Sequence, residues 1–377
     1  MIQTPRFRNN SSLFETGILI VPERLRRARE LRSMTQDMLA AQAKLDQSYI
    51  ALIEKGERTP SEEALKAIAA ALELPVSYFF QPIRMSIVGD SIRFRASAGV
   101  GKKITATLSS ETEHYLEILA VLLQRVNPVS VKFKPRNESP KTAAHRLRAT
   151  LGIDQAKPLP HLVRNFEKLG GIVIALSRYR KFDAFADWVG PEREWPVVAM
   201  ASGVDPARLR MTIAHEIGHL VLHKGCPIDP LAEHEAFEFG AELLMPEIIV
   251  KRVFSSGKPS LDELHELRAR WGISEDAVVY SANRIGLMSE RQYRDYNVKL
   301  RVERRRPESE QGEQPRALRK MAEVAFGIPL PYDKMAEVFH IGSRELEEFF
   351  ERYAPEKSGS MLQTRQTNVV PMRSQVN

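Results

Sequence analysis

The pentad His215-Glu216-Ile217-Gly218-His219 constrains this chain more than any other stretch of it. Residues four apart lie one above the other on a helix, so both imidazoles project from the same face. Two imidazoles at that spacing suit a tetrahedral zinc ion, and Glu216 between them is placed to act as general base on a neighbouring water. Such chemistry needs a dry wall. Ile213, Leu220 and Leu222 supply apolar neighbours, so a helix over 207–224 is expected to bury its other side.

Zinc at such a site needs a third protein ligand. His223 repeats the four-residue spacing, but it lies two full turns from His215, about 12 Å along the axis. Bonds of about 2 Å cannot bring both to one ion, so His223 reads as a supporting histidine. The next predicted helix, 231–245, offers Glu233, His234, Glu235 and Glu238. Ala236, Phe239, Gly240, Leu243 and Leu244 mark its apolar face. Glu233 sits one turn before Ala236 and Phe237 and shares that face. It is the expected ligand, with His234 in reserve. Cys226 reads as a small packed or exposed residue, with an extra thiolate ligand as the alternative.

Two longer blocks now carry a resemblance. Residues 208–223 (RLRMTIAHEIGHLVLH) and 233–246 (EHEAFEFGAELLMP) closely resemble the ImmA/IrrE family of zinc metallopeptidases, over roughly 141–296. The resemblance implies a zincin-like fold, Zn²⁺ as cofactor, His215, His219 and Glu233 as ligands, and Glu216 as the base of a zinc metallo-endopeptidase. The substrate it implies is a peptide or a regulator protein, or this chain itself. The sequence departs from the family at Phe237, where a polar Asn is usual. Upstream, strands are predicted at 172–176, 182–188 and 196–200. The last, just before the site helix, is expected to hold an extended peptide along its edge by strand addition.

The N-terminal part reads differently. Thr35-Gln36 opens a short helix, Asp46 is placed to cap the next (47–55), and Gly56 follows its end. Leu25, Leu39, Leu45, Ile50 and Ile53 fall where three packed helices bury them, and Ala40 is small where two helices approach. The start of 47–55 stays polar, with Gln47, Ser48 and Tyr49. A helix N-terminus of that kind fits the major groove, where Gln pairs with adenine and Ser with either base type. Gln36 is placed to hold a phosphate with its helix's N–H groups. These residues, with Ile53-Glu54-Lys55-Gly56 and Pro60, resemble the XRE (phage-repressor-like) helix-turn-helix family over about 22–80. That resemblance implies a double-stranded DNA operator and a homodimer on palindromic half-sites. It departs at Lys44, where the turn usually carries Gly.

The division expected is a flexible tail (1–20), a helix-turn-helix domain (21–80), a basic connector (81–140) and the peptidase domain (141–298). Residues 299–377 follow as a linker, a small helical region within 332–350 and a disordered end. The fold class is α+β, mostly helical, with a small β-sheet and the HExxH helix. The net charge of +7 concentrates between residues 81 and 150, which hold 12 Lys and Arg against 5 Asp and Glu. Arg93, Arg95, Lys102 and Lys103 there are candidates for phosphate contact, or an ordinary solvated surface. One cysteine in 377 residues excludes an internal disulfide framework and points to a reducing cytoplasm. No apolar run reaches the length of a membrane helix. The reading is a DNA-binding transcriptional regulator carrying a zinc peptidase, in stress or mobile-element control. The alternatives are a non-enzymatic repressor whose zinc domain senses or dimerises, or an antitoxin-like regulator.

Overall fold

The computed structural model describes residues 19–86, 102–177, 182–226, 229–302 and 312–354. Arg93 and Arg95, the side chains of Lys102 and Lys103, residues 1–18 of the tail read at 1–20, and the end read as disordered (355–377) lie outside the described residues, while Ile20 of that tail is buried in the core of the head.

Four helices form the head: α1 (Pro22–Leu31), α2 (Gln36–Ala43), α3 (Gln47–Glu54) and α4 (Glu62–Ala71), closed by a short 3₁₀ turn at Val76–Phe80. Leu25, Leu39, Ile50, Ile53, Leu65 and Ile68 are fully buried and make one core. The caps follow the sequence in part. Thr35 accepts a hydrogen bond from the Met38 N–H, and Ser61 one from Ala64. Asp46 adopts the extended N-cap conformation, but its side chain makes no capping bond. Lys44 takes the left-handed conformation (φ 55°, ψ 45°). The turn therefore keeps the family's geometry without glycine, at a cost of about 1 kcal/mol.

The 81–140 stretch reads as a connector from its charge, yet it contains the longest helix described, α5 (Lys102–Leu123). Averaged composition hides it, because its inward carboxylates are buried and most of the cations flank it. Glu117 accepts a hydrogen bond from the buried Arg24 guanidinium at 2.7 Å. Arg27 meets Glu113 at 3.1 Å, and Ser110 donates to Glu30. These contacts seat the head, through α1, against α5. On the body side, Glu111 of α5 accepts from the Ser177 N–H and hydroxyl.

The body is built on α6 (Pro140–Thr150), α7 (Leu162–Lys168) and three strands, β1 (Ile172–Leu176), β2 (Ala184–Val189) and β3 (Trp195–Ala201). The sheet order is β1-β3-β2, with β1 parallel and β2 antiparallel to β3. Its strands are near-continuous apolar runs because both faces are covered. Then come α8 (Pro206–Leu222), α9 (Pro230–Leu244), α10 (Glu247–Ser255), α11 (Leu261–Trp271), α12 (Glu275–Arg284) and α13 (Glu290–Val302). Three more follow: α14 (Ala317–Phe326), α15 (Tyr332–Phe339) and α16 (Ser343–Glu351).

The pair α15–α16 falls within the helical region read at 332–350, and it docks on the body. Met335, Phe349, Phe350 and Tyr353 join the body core. Beyond α16, the Tyr353 hydroxyl accepts from the Ala175 N–H at 2.9 Å and Arg352 donates to the Ala175 carbonyl. Side chains thus satisfy the outward N–H and carbonyl of Ala175 on the free edge of β1. Among the described residues no helix is long and apolar enough to cross a membrane.

Candidate metal centre and nucleic-acid interface

Helices α8 and α9 form a hairpin with matching starts. Asp205 and Asp229 each cap through a carboxylate oxygen, and Pro206 and Pro230 hold the first helical position. The two helices lie unusually close, and a pair of glycines permits it. A Cβ on Gly240 would stand 2.9 Å from the His215 backbone N, and one on Gly218 would stand 2.9 Å from the Ala236 carbonyl oxygen. Arg148, fully buried on α6, donates to the Leu243 carbonyl and fixes the far end of α9.

That approach brings Glu233 to the two histidines. His215 Nε2 and Glu233 Oε2 are 3.1 Å apart, His215 Nε2 and His219 Nε2 3.1 Å, and His219 Nε2 and Glu233 Oε1 3.5 Å. Four ligands at about 2.0–2.1 Å in a tetrahedron are separated by about 3.3 Å, so the three donors fit the edges of a zinc site. His215, His219 and Glu233 are the group that could hold a metal ion among the described residues. The two rings beside it hold the Glu233 carboxyl far below the usual carboxylate range, His215 contributing most.

Behind this set, the His219 and His223 Nδ1 atoms lie 3.2 Å apart, and His223 Nε2 is 2.9 Å from Glu235 Oε2. His223 is therefore a support, and Glu235 orients it. Glu216 is buried and lines an open cleft of about 1060 Å³ together with His215, Glu233 and Phe237. The Phe237 ring meets Tyr280 edge-on at 4.7 Å, and Tyr293 follows at 6.3 Å.

In the head, Gln47 and Ser48 are exposed at the first turn of α3. The Gln47 amide donates to Gln36 Oε1 at 2.8 Å, and the Gln36 amide to Glu54 Oε2 at 2.9 Å. Arg29 clamps Glu54 through both carboxylate oxygens. The result is a chain of bonds from the core to the exposed helix start.

Residues 25–79 match the helix-turn-helix family, and residues 174–283 match the IrrE N-terminal-like domain. This chain joins a helix-turn-helix head to an IrrE-like domain. The head is similar to the immunity repressor protein of Bacillus phage phi105, 41% identical over 59 residues. The match spans 16% of this chain and 41% of the repressor, less than half of that protein's length. Among solved structures, PlcR of Bacillus thuringiensis, in complex with the peptide PapR7 and DNA, aligns over 88% of this chain and 92% of its own. At 13% identity and a TM-score of 0.16, that likeness carries no weight for the fold.

The IrrE-like domain brings His215, Glu216, His219 and Glu233 together. His234, the reserve ligand, is exposed and outside the cluster, and Glu238 pairs with Arg284 instead. Cys226 is exposed and is not among the clustered donors. One expectation is overturned. The strand read at 196–200 cannot offer an edge to a peptide, because β3 is the middle strand and pairs on both sides. A strand next to the site helix in sequence need not be outermost in the sheet. Phe182, Asp183 and Ala184, leading into β2, line the cleft instead.

In the head, the structure joins Gln36 and Gln47 to each other. Tyr49 is engaged internally: its hydroxyl accepts from the Ser61 N–H, and the Arg58 guanidinium lies 4.9 Å over its ring. Sequence reasoning missed Glu235 as a partner and missed the Phe237–Tyr280–Tyr293 wall. Both depend on contacts between helices, for which local spacing carries no signal. The glycines of the helix contact carried a signal, since Gly in a helix interior is unfavourable unless something approaches closely.

Proposed function

We propose that this protein is a DNA-binding transcriptional regulator whose IrrE-like domain is a zinc-dependent endopeptidase acting on a regulator protein or on the chain itself. The observation that carries the reading is the set of three side chains, two imidazoles and one carboxylate, whose facing atoms lie 3.1–3.5 Å apart, with Glu216 lining the same cleft. Bound zinc would polarise a scissile carbonyl and make a neighbouring water more acidic. Glu216 takes the proton from that water at a carboxylate oxygen and returns it to the leaving nitrogen. His223 and Glu235 hold the His219 ring in one orientation. The cleft is open to solvent, and its volume of about 1060 Å³ has room for a peptide segment.

The head supports the regulatory half of the reading. Gln47 and Ser48 enter the major groove, and Gln36 with the α2 N-terminus takes a phosphate. Likeness to an immunity repressor supports repression; the proposed form is a cytoplasmic homodimer on a two-fold operator, in stress or mobile-element control. A second reading rests on Phe237. An apolar ring beside the ligands, where the resembling family has Asn, suits a domain that keeps zinc as a sensor or dimerisation body and does not cut.

Bound metal per purified chain tests the site. One zinc in wild type and little in His219→Ala is expected. Absence of metal in folded wild-type protein after zinc is offered would overturn the site. Glu216→Gln separates the two readings. It keeps zinc and operator binding in both, and it alters regulation only if cleavage is the function.

A further inference from the structure

A second cavity, of about 370 Å³, lies between α7, α14 and the loop that follows α5. It shares no lining residue with the peptidase cleft. Its floor is apolar: Val126, Ile172 and Met321 are buried there. Val129 and Val324, which also line it, stand 52% and 77% exposed. The volume is that of a small-molecule site.

The rim is cationic. Arg164, Lys168, Arg316 and Lys320 line it against one carboxylate, Glu167. Glu167 is already committed, since it accepts the backbone N–H groups of Arg316 and Ala317, each at 2.9 Å, and so caps α14. Among the described residues none of the four cations forms a direct ion pair. The Arg316 Nε is buried with no acceptor. A buried N–H in that state calls for an oxygen, and the residue that carries it lines the cavity.

We infer that this cavity binds a small organic anion with an apolar body, its charged group among Arg164, Arg316 and Lys320 and its chain on Val126, Ile172 and Met321. An inorganic anion would leave the apolar floor wet, and a neutral apolar molecule would leave the excess of four cations over one carboxylate at the rim without a partner. The position suits an effector. Helix α14 packs on both β1 and α5, and α5 holds the DNA-binding head through the Arg24–Glu117 contact.

The test uses the full chain and octanoate as probe, with octan-1-ol and acetate as its uncharged and bodiless counterparts. Binding is read by calorimetry and by the shift in unfolding temperature. Octanoate is expected to bind and to raise the unfolding temperature, with the other two weaker by at least about tenfold. The double variant Arg164→Gln, Lys320→Gln changes partly exposed side chains outside the core. It should weaken octanoate by at least about tenfold while keeping its circular dichroism and bound metal. Met321→Trp, which fills the floor, should abolish binding. Absence of octanoate binding, equal binding of octan-1-ol, or a double variant that binds as wild type would each overturn the assignment. The outcome is independent of whether the other cleft cuts peptides.

Discussion

Replacing Gly240 with Ala tests whether the closeness of α8 and α9 assembles the metal site. The new Cβ would stand 2.9 Å from the His215 N, 3.1 Å from the Ala214 carbonyl carbon and 3.1 Å from Met211 Cε. Two of those three atoms are backbone and cannot swing away. Restoring ordinary contact requires the helices to part by roughly 0.5 Å, a quarter of a 2.0–2.2 Å metal–ligand bond. Overpacking of this kind costs about 1–3 kcal/mol, while Ala in a helix interior recovers about 0.8–1.0 kcal/mol over Gly. Global stability should therefore fall by no more than about 2 kcal/mol. The ligand set should suffer more, because Glu233 rides on α9 and both histidines ride on α8. We expect zinc affinity to fall about 10–100-fold, the range seen when ligand positioning is disturbed. A chelator-competition titration reads this directly, with Gly312→Ala as control, where the added methyl meets nothing within 4 Å. Wild-type affinity in a folded Gly240→Ala protein would refute the claim that this contact sets the site.

Arg24→Met removes one partner of a buried pair whose side chains are 3% and 6% exposed. It should destabilise the chain by about 3 kcal/mol or more in denaturant unfolding, and less when combined with Glu117→Leu. Burial, reinforced by Arg84 and Arg24, pushes the His340 imidazole down to about 4 from 6.5. The folded state thus favours the neutral ring. Its contribution is complete above pH 6.5 and is lost as pH falls toward 4, so His340→Gln should flatten unfolding free energy over that window relative to wild type. Gln47→Ala should weaken operator binding by about 1–3 kcal/mol and leave non-specific binding unchanged at fixed salt. A uniform loss on all sequences would place Gln47 on a phosphate instead.

Much of the site was legible because it is local. The pentad places two donors on one helix face by periodicity alone, and the apolar stripe of 236–244 selects Glu233 from four neighbouring candidates. The same is true of the helix opened at Thr35-Gln36 and the strand at 172–176, each decided within a few residues. Charge composition was a poor guide to residues 81–140. It averages over the stretch, whereas α5 is defined by which carboxylates meet Arg24 and Arg27 of a different helix.

By itself, then, the sequence determined most of the helices outside 81–140, the donor types of the His–Glu cluster and the join of a helix-turn-helix to an IrrE-like domain. Periodicity, capping and motif spacing are properties of adjacent residues. Only the tertiary structure decided that β3 lies mid-sheet and offers no edge. The same holds for Glu235 behind His223 and for Tyr353 closing the edge of β1. Those outcomes join residues far apart in the chain, and packing sets them.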